Sequence, residues 1–341
     1  KEKAGRKVYD RQREKDKLAD VASKVQGEFN KKGIKELYSQ LMSMSRKLQY
    51  QRLVESGALG RLPFIQIDSL DKENARVVFQ GTEGAYGQAA MHQFFGDDVN
   101  CFHVRTFRDA MEAIEEGSAD YAVLPIENSS AGPVNEMYDL LDEFENYIVA
   151  ETILPVVHTL SGLPGTKLSE IKRVYSKAEA LMQTSRFLDE QAHWQQISVV
   201  NTAVAAKKIL EDQDKTQAAV CSAYAAKVYG LSVLVDEINN EPNNSTRFIV
   251  VTNQKIFLKE ADKISICFEL PHESGSLYRI LSHFIYNDLS MTKIESRPIE
   301  GRNWEYRFFI DFDGNLEDSA VKNALRGLRD EARNMRILGN Y

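Results

Sequence analysis

From Arg76 to about residue 229 the chain alternates short apolar runs with helical patterns, and this alternation limits the fold more than any other feature. Val77–Phe79 precede a helical pattern over 86–95, Tyr121–Leu124 precede 134–144, and Val174–Tyr175 precede 178–190; Ser198–Val200 precede 202–211 and Ala218–Val220 precede 222–229. Such alternation predicts α/β layers with mostly parallel strands. In sheets of that kind ligands bind beyond the carboxyl ends of the strands.

Those ends read Q-G-T-E-G-A-Y (80–86), P-I-E-N-S-S-A-G (125–132), S-K-A-E-A (176–180), N-T-A (201–203) and C-S-A-Y-A-A (221–226). Each polar residue there could be no more than a helix N-cap. Five converging on one edge favour a cleft that binds anions and hydroxyls. Gly81 and Gly84 lack the G-x-G-x-x-G spacing and no P-loop occurs, so the cleft carries no nucleotide signature. A sixth segment, N-N-S-T-R-F-I-V-V (243–251), runs polar residues straight into an apolar strand, setting Thr246 and Arg247 where a strand meets the cleft.

The chain has 341 residues, enough for two or three domains with real cores, and no apolar run nears the roughly 20 residues that span a bilayer. Its first residue is Lys, so targeting is left open at that end. Cys101, Cys221 and Cys267 fit neither a metal pattern nor a disulfide framework, and read as reduced, mostly buried thiols of a cytoplasmic protein. The net charge of −7 is uneven: residues 1–52 hold 15 Lys/Arg against 7 Asp/Glu, a +8 segment on an acidic body. That segment suits an anionic partner, nucleic acid or a small multiply charged anion, or is simply a solvated helix face.

Within it, residues 10–29 are helical in pattern with Leu18, Val21 and Val25 on one stripe; Gly33 reads as the break; Ile34, Leu37, Leu41, Met44 and Leu48 then form a coiled-coil-like seam. Two helices need a further helix or a second subunit to make a core. The order R-K-V-Y-D-R-Q-R-E then S-R-K-L-Q resembles the second and third helices of the all-helical (AroQ-type) chorismate mutase domain. The resemblance assigns Lys1 and Gln49 to the breaking ether oxygen, Arg13 to a substrate carboxylate, and Asp10, Glu14 and Ser45 to hydroxyl-binding or supporting roles. That family's long first helix has no counterpart in the sequence, and without it mutase activity is expected to be weak or absent.

Residues 53–75 read as a linker. Residues 76–252 resemble prephenate dehydratase in Q-G-x-x-G-A-Y, G-x-A-D-Y-A-V-L-P-I-E-N-S-x-A-G, H-x-L-x-G-L-P-G (158–165) and Y-G-L followed by N-x-T-R-F. The fold implied is two α/β lobes of periplasmic-binding-protein type, lobe one 76–152 with 240–252 and lobe two 153–239. The resemblance places Thr246 at the leaving hydroxyl and makes Arg247 a carboxylate clamp; Glu127, Asn128 and Ser129 line the opposite wall, with Ser176 and Thr202 from the second lobe. S-K-A-E (176–179) stands where the family has S-H-P-Q, so Lys177 is the cation available there.

From residue 262 onward a βαββαβ order predicts a ferredoxin-like unit. Its G-S-L (275–277) and E-S-R-P (295–298) resemble the ACT regulatory domain, whose phenylalanine site would comprise Gly275, Ser276, Leu277, Glu295, Ser296, Arg297 and Pro298. Tyr278 stands where that segment has a branched residue. Taken together, the resemblances imply a chorismate mutase–prephenate dehydratase without metal or cofactor. It would act on chorismate and prephenate, respond to phenylalanine, form a homodimer or homotetramer, and engage neither nucleic acid nor membrane. Two alternatives stand beside it: an ACT-containing amino-acid sensor signalling through the basic arm, and a dehydratase whose helical arm only dimerises.

Overall fold

The computed structural model describes residues 8, 10–56, 62–270 and 273–341. It divides into two compact units, one of Ser69–Gln254 and one that joins the described residues up to Asp68 with Lys255–Tyr341. Among the described residues no helix is long and apolar enough to cross a membrane.

The unit Ser69–Gln254 has two lobes, each built on its own sheet. In the first, strands lie in the order Tyr147–Pro155, Ser245–Thr252, Tyr121–Asn128, Arg76–Gln80, Asn100–Val104. Arg76–Gln80 is parallel to both its neighbours, while Ser245–Thr252 is antiparallel to both of its own. Four of the five strands therefore run the same way, as expected, and the sheet is mixed only because one interior strand, Ser245–Thr252, arrives last and from the opposite direction. Phe248–Val251 are buried on both faces, as their unbroken apolar run requires. The second lobe orders Ser232–Val235, Thr159–Gly162, Gln217–Cys221, Arg173–Ser176, Gln195–Ser198, with its last three strands parallel. Leu160, Val174, Ala218 and Val220 form its core with Trp194.

Helices follow the strands at Tyr86–Phe95, Asn135–Glu143, Thr202–Asp212 and Ala223–Val228. The pattern read as one helix over 178–190 is two, Ala178–Gln183 and Ser185–Asp189. Thr184 divides them: its hydroxyl donates back to the carbonyls of Ala180 and Leu181, a local bond that competes with helix continuation.

In the other unit the strands Met291–Pro298, Tyr306–Asp313, Lys263–Glu269 and Arg333–Asn340 form an antiparallel sheet in that order. Helices Ser276–Ile285 and Ser319–Glu331 complete the βαββαβ order. Ile264, Ile266 and Phe268 alternate along one strand to meet Phe284, Val321, Leu325 and Leu328 from the helices. Residues 53–75 are not featureless, since Ile65–Ile67 pairs in parallel with Ile256–Leu258.

The basic arm is a helical hairpin, Arg11–Ser23 and Glu28–Glu55. Its break is at Gly27, which has φ of +84°, and not at Gly33, which lies inside the long second helix where a Cβ would meet nothing. The long helix turns Ser43, Arg46 and Tyr50 inward against Ser319–Glu331, whereas Leu37, Leu41, Met44 and Leu48 are 50–58% exposed. The apolar seam is thus not the face this helix uses within the chain.

Candidate active site

The strand Ser245–Thr252 presents Thr246 opposite Asn128 on one side and Leu154 on the other, with Arg247 opposite Glu127 and Ile153. A register shift between Arg247 and Phe248 separates this polar end from the buried run. Asn128 organises the group. Its Nδ2 donates to Thr246 Oγ1 at 2.9 Å, Asn244 Oδ1 at 2.9 Å and the Ser245 carbonyl at 3.1 Å. Its Oδ1 accepts from the backbone N–H groups of Ser130 (3.0 Å) and Ala131 (2.8 Å), closing an Asx turn after the strand. Ser129 completes the lacing: its N–H donates to the Ser245 carbonyl and its hydroxyl accepts from the Ser245 N–H, both at 2.9 Å.

Arg247 is set between two carboxylates, its Nε 2.8 Å from Glu151 Oε2 and its Nη1 3.8 Å from Glu127 Oε2. Glu127, Asn128, Ser129, Thr246 and Arg247 therefore share one sheet end; Glu127, Asn128 and Ser129 lie beside Thr246 and Arg247 and not on the opposite wall expected from the sequence, because their strands are paired neighbours. The second-lobe residues differ in their surroundings. Ser176 is fully buried and donates to the Val220 carbonyl at 2.6 Å. Thr202 is the first residue of its helix, whose N-cap is Asn201 accepting from the Val204 N–H at 2.8 Å.

Three further residues form a chain that the sequence reading quotes only within motifs or passes over. The Tyr86 hydroxyl lies 2.9 Å from the Val157 carbonyl and 3.1 Å from His158 Nδ1, while His158 Nε2 is 2.9 Å from Gln183 Oε1. Burial pushes the His158 pKa down and that of Tyr86 up, so the pair is held neutral. Q-G-x-x-G-A-Y and H-x-L-x-G-L-P-G are the signals that could find Tyr86 and His158. Gln183 carries no such signal.

Next to this group is a cavity of about 380 Å³, lined by Ser130 and Asn244 from the Thr246 side and by Glu179, Gln183, Arg186 and Asn240 across from it. Asn244 is 4% exposed, and its Nδ2 is buried without a hydrogen-bond partner while its Oδ1 is held by Asn128. Lys177 pairs with Glu179 at 2.8 Å, and Arg186 donates to the Asn240 carbonyl at 3.0 Å.

Of the residues matched to the mutase, Lys1 lies outside the described residues. Asp10 caps the first helix by accepting from the Arg13 N–H at 3.0 Å, and Gln49 donates to Ser45 Oγ at 3.2 Å on an exposed surface. Glu14 is engaged by Arg46, which also reaches Glu331 at 3.0 Å. Of the residues matched to the effector segments, Gly275 has φ of +78° and precedes the helix opened by Ser276 and Leu277. Glu295–Pro298 end the edge strand Met291–Pro298. The Tyr278 hydroxyl is 3.5 Å from Gln40 Nε2 on the long arm helix.

A two-lobed α/β unit whose crossing strand carries a hydroxyl and a guanidinium at one end, with an amide from its neighbour and a cavity alongside that several polar residues line, defines a cleft enzyme acting on a small molecule. The family model for prephenate dehydratase matches residues 77–256, and that for chorismate mutase type II matches residues 1–50. The bifunctional chorismate mutase/prephenate dehydratase of Escherichia coli K12 is 33% identical over 299 residues, 86% of this chain and 78% of that one. Arogenate dehydratase 4 of Arabidopsis thaliana is 36% identical over 293 residues, 80% of this chain and 68% of that one. The crystal structure of prephenate dehydratase from Arthrobacter aurescens in complex with L-Phe aligns with a TM-score of 0.72 at 34% identity, covering 78% of this chain and 89% of that one. The chain belongs to the prephenate dehydratase family, with a chorismate mutase segment at its head.

Proposed function

We propose that the cleft around Thr246 converts prephenate to phenylpyruvate, carbon dioxide and water, and that the arm belongs to a mutase that makes prephenate from chorismate. The dehydratase chemistry needs little beyond a proton donor and charge placement. As the ring carboxylate departs as carbon dioxide, its C–C bonding pair enters the ring and the ring C–O bond breaks; the leaving hydroxyl takes a proton and becomes water. Aromatisation supplies the driving force, so the barrier lies in assisting a poor leaving group.

One observation carries the assignment: Asn128 donates to Thr246 Oγ1. An oxygen that already accepts a hydrogen bond from the scaffold still has its own O–H to donate, and this reading gives that donation to the leaving hydroxyl. Thr246 is then a prepared donor to the leaving hydroxyl. Glu151 and Glu127 hold the Arg247 guanidinium in one orientation for a substrate carboxylate. Glu127 and Ser129 shape the wall beside it, with Ser176 and Thr202 supporting the second lobe's side.

The βαββαβ unit is read as an ACT domain with a phenylalanine site at Gly275–Leu277 and Glu295–Pro298, and the assembly as a dimer or tetramer. The βαββαβ order supports this reading, as does the L-Phe carried by the Arthrobacter relative. The test is to supply prephenate and follow phenylpyruvate by absorbance, with and without phenylalanine, and to follow chorismate consumption in the same preparation. Thr246→Ala is expected to fold and lose at least about 100-fold in kcat. Near-full turnover by that variant would remove Thr246 from the mechanism.

A further inference from the structure

Glu331 is the last residue of helix Ser319–Glu331, and its side chain is 6% exposed. Two other helices converge on it. From the arm, Arg46 Nη2 lies 3.0 Å from Oε1. From helix Ser276–Ile285, His283 Nε2 lies 3.1 Å from the same oxygen, and Arg279 Nε lies 4.0 Å from Oε2. Burial opposes charge on this carboxyl, yet the His283 hydrogen bond and the fields of Arg46 and Arg279 outweigh it and hold the group below the ordinary carboxylate range.

The surroundings make this junction tight. A Cβ on Gly327, one turn before Glu331, would overlap the His283 ring, so the imidazole is in contact with the helix backbone itself. Beside it Tyr50 of the arm donates to Asp330. Arg46 holds Glu14 on its other side, which ties the short arm helix to the same point. A second link joins the same two elements further along, where Gln40 meets Tyr278.

We infer that Glu331 is a coupling residue through which the helix opening at Gly275–Leu277 positions the mutase arm. The inference rests on the reading of that helix as part of the phenylalanine site. Arg279 and His283 follow Leu277 on the same helix, so any displacement of the helix by a bound amino acid moves two of the partners of Glu331. Arg46 shares Oε1 with His283 and must readjust, carrying with it Glu14 and the helix that bears Ser45 and Gln49. Packed helices respond to such a change as rigid bodies, because a close-packed contact moves between discrete arrangements instead of yielding smoothly. Linkage makes the effect reciprocal: a change in the arm's ion pair must alter phenylalanine affinity by the same factor.

The test uses the full chain, with phenylalanine binding measured by calorimetry and backbone hydrogen exchange measured with and without saturating phenylalanine. In the unsubstituted protein, exchange over Glu28–Glu55 is expected to change by about fivefold or more on saturation, within the usual range of allosteric coupling. In Glu331→Gln the change is expected to fall within about twofold while phenylalanine still binds. Arg46→Met should shift phenylalanine affinity by a similar factor although Arg46 lies outside the effector segments, and Arg46→Lys should recover part of the shift. A purely structural tie would loosen the arm in all variants but leave phenylalanine affinity alone. Phenylalanine that binds without altering exchange in the arm overturns the inference, and so does an Arg46→Met affinity equal to that of the unsubstituted protein. Failure of phenylalanine to bind at all overturns the effector reading and the coupling with it, and calorimetry separates that result from the others.

Discussion

Replacing Asn128 by Asp turns one donor atom, its Nδ2, into an acceptor. The Nδ2 atom serves three acceptors, Asn244 Oδ1, the Ser245 carbonyl and Thr246 Oγ1, within 2.9–3.1 Å. A carboxylate offers none of those donors. Each net hydrogen bond is worth about 1 kcal/mol and an oxygen left facing oxygen costs more, so a stability loss of roughly 2–4 kcal/mol is expected. The catalytic effect is separate. Of the three acceptors the Ser245 carbonyl cannot turn, Asn244 can by flipping its amide, and Thr246 can by rotating its hydroxyl; once the Thr246 O–H points at the new carboxylate instead of the leaving hydroxyl, a proton-donor contribution of about 10²–10⁴ in rate is removed. The assay is kcat on prephenate below the variant's own melting temperature, across pH. Protonation of the new carboxyl restores a donor, so activity should recover in part as pH is lowered, while Thr246→Val should show no such recovery. The double variant should be no slower than the slower single one, because both remove the same hydrogen bond. A folded Asn128→Asp protein with kcat within about threefold of the unsubstituted chain, or strictly additive losses in the double variant, would mean that Asn128 does not prepare Thr246.

Other substitutions and conditions test other parts of the molecule. Gly327→Ala must separate two helices to clear the His283 ring, and should lower stability by about 1–3 kcal/mol, read as a shift in the urea midpoint. His158 has its pKa lowered from 6.5 by burial, so the unfolded chain binds its proton at a higher pH than the folded one. Stability should therefore fall as pH drops through 6.5, and the dependence of the urea midpoint on pH from about 7 to about 5 should flatten in a folded His158→Gln variant. Burial pushes the thiol of Cys221 up to about 12 and that of Cys267 up to about 11, whereas Cys101 is partly accessible. A thiol reagent should modify Cys101 in the native protein and the other two only on unfolding.

Much of this architecture is legible from residues close together in sequence. The run N-N-S-T-R-F-I-V-V shows its polar end and buried strand directly, and Lys263–Glu269 alternates visibly between the core and the opposite face. Edge strands are harder. Asn100–Val104 has no fully buried residue, so its composition gives no strong period. Gly33 reads as a breaker because glycine is usually one, but only the backbone shows that Gly27 holds the positive φ. The Arg46–Glu331 pair joins residues 285 positions apart, and no local pattern can announce such a partner. In the site, Thr246 and Asn128 are named by motif, but the hydrogen bond that makes one prepare the other depends on strand register across 118 residues.

The place of Ser245–Thr252 in its sheet also fixes an order of events on the ribosome. Its two neighbours, Tyr121–Asn128 and Tyr147–Pro155, emerge well before it, and the whole second-lobe sheet from Thr159 to Val235 is synthesised in between. The nascent first lobe therefore waits with two unsatisfied strand edges facing a gap, while the second lobe has all its strands and can close first. The last strand then enters like a key bar, with Phe248–Val251 sealing the core and Thr246 reaching Asn128 in the same movement. A chain that has finished its first lobe has, by that act, made the hydrogen bond between Asn128 and Thr246.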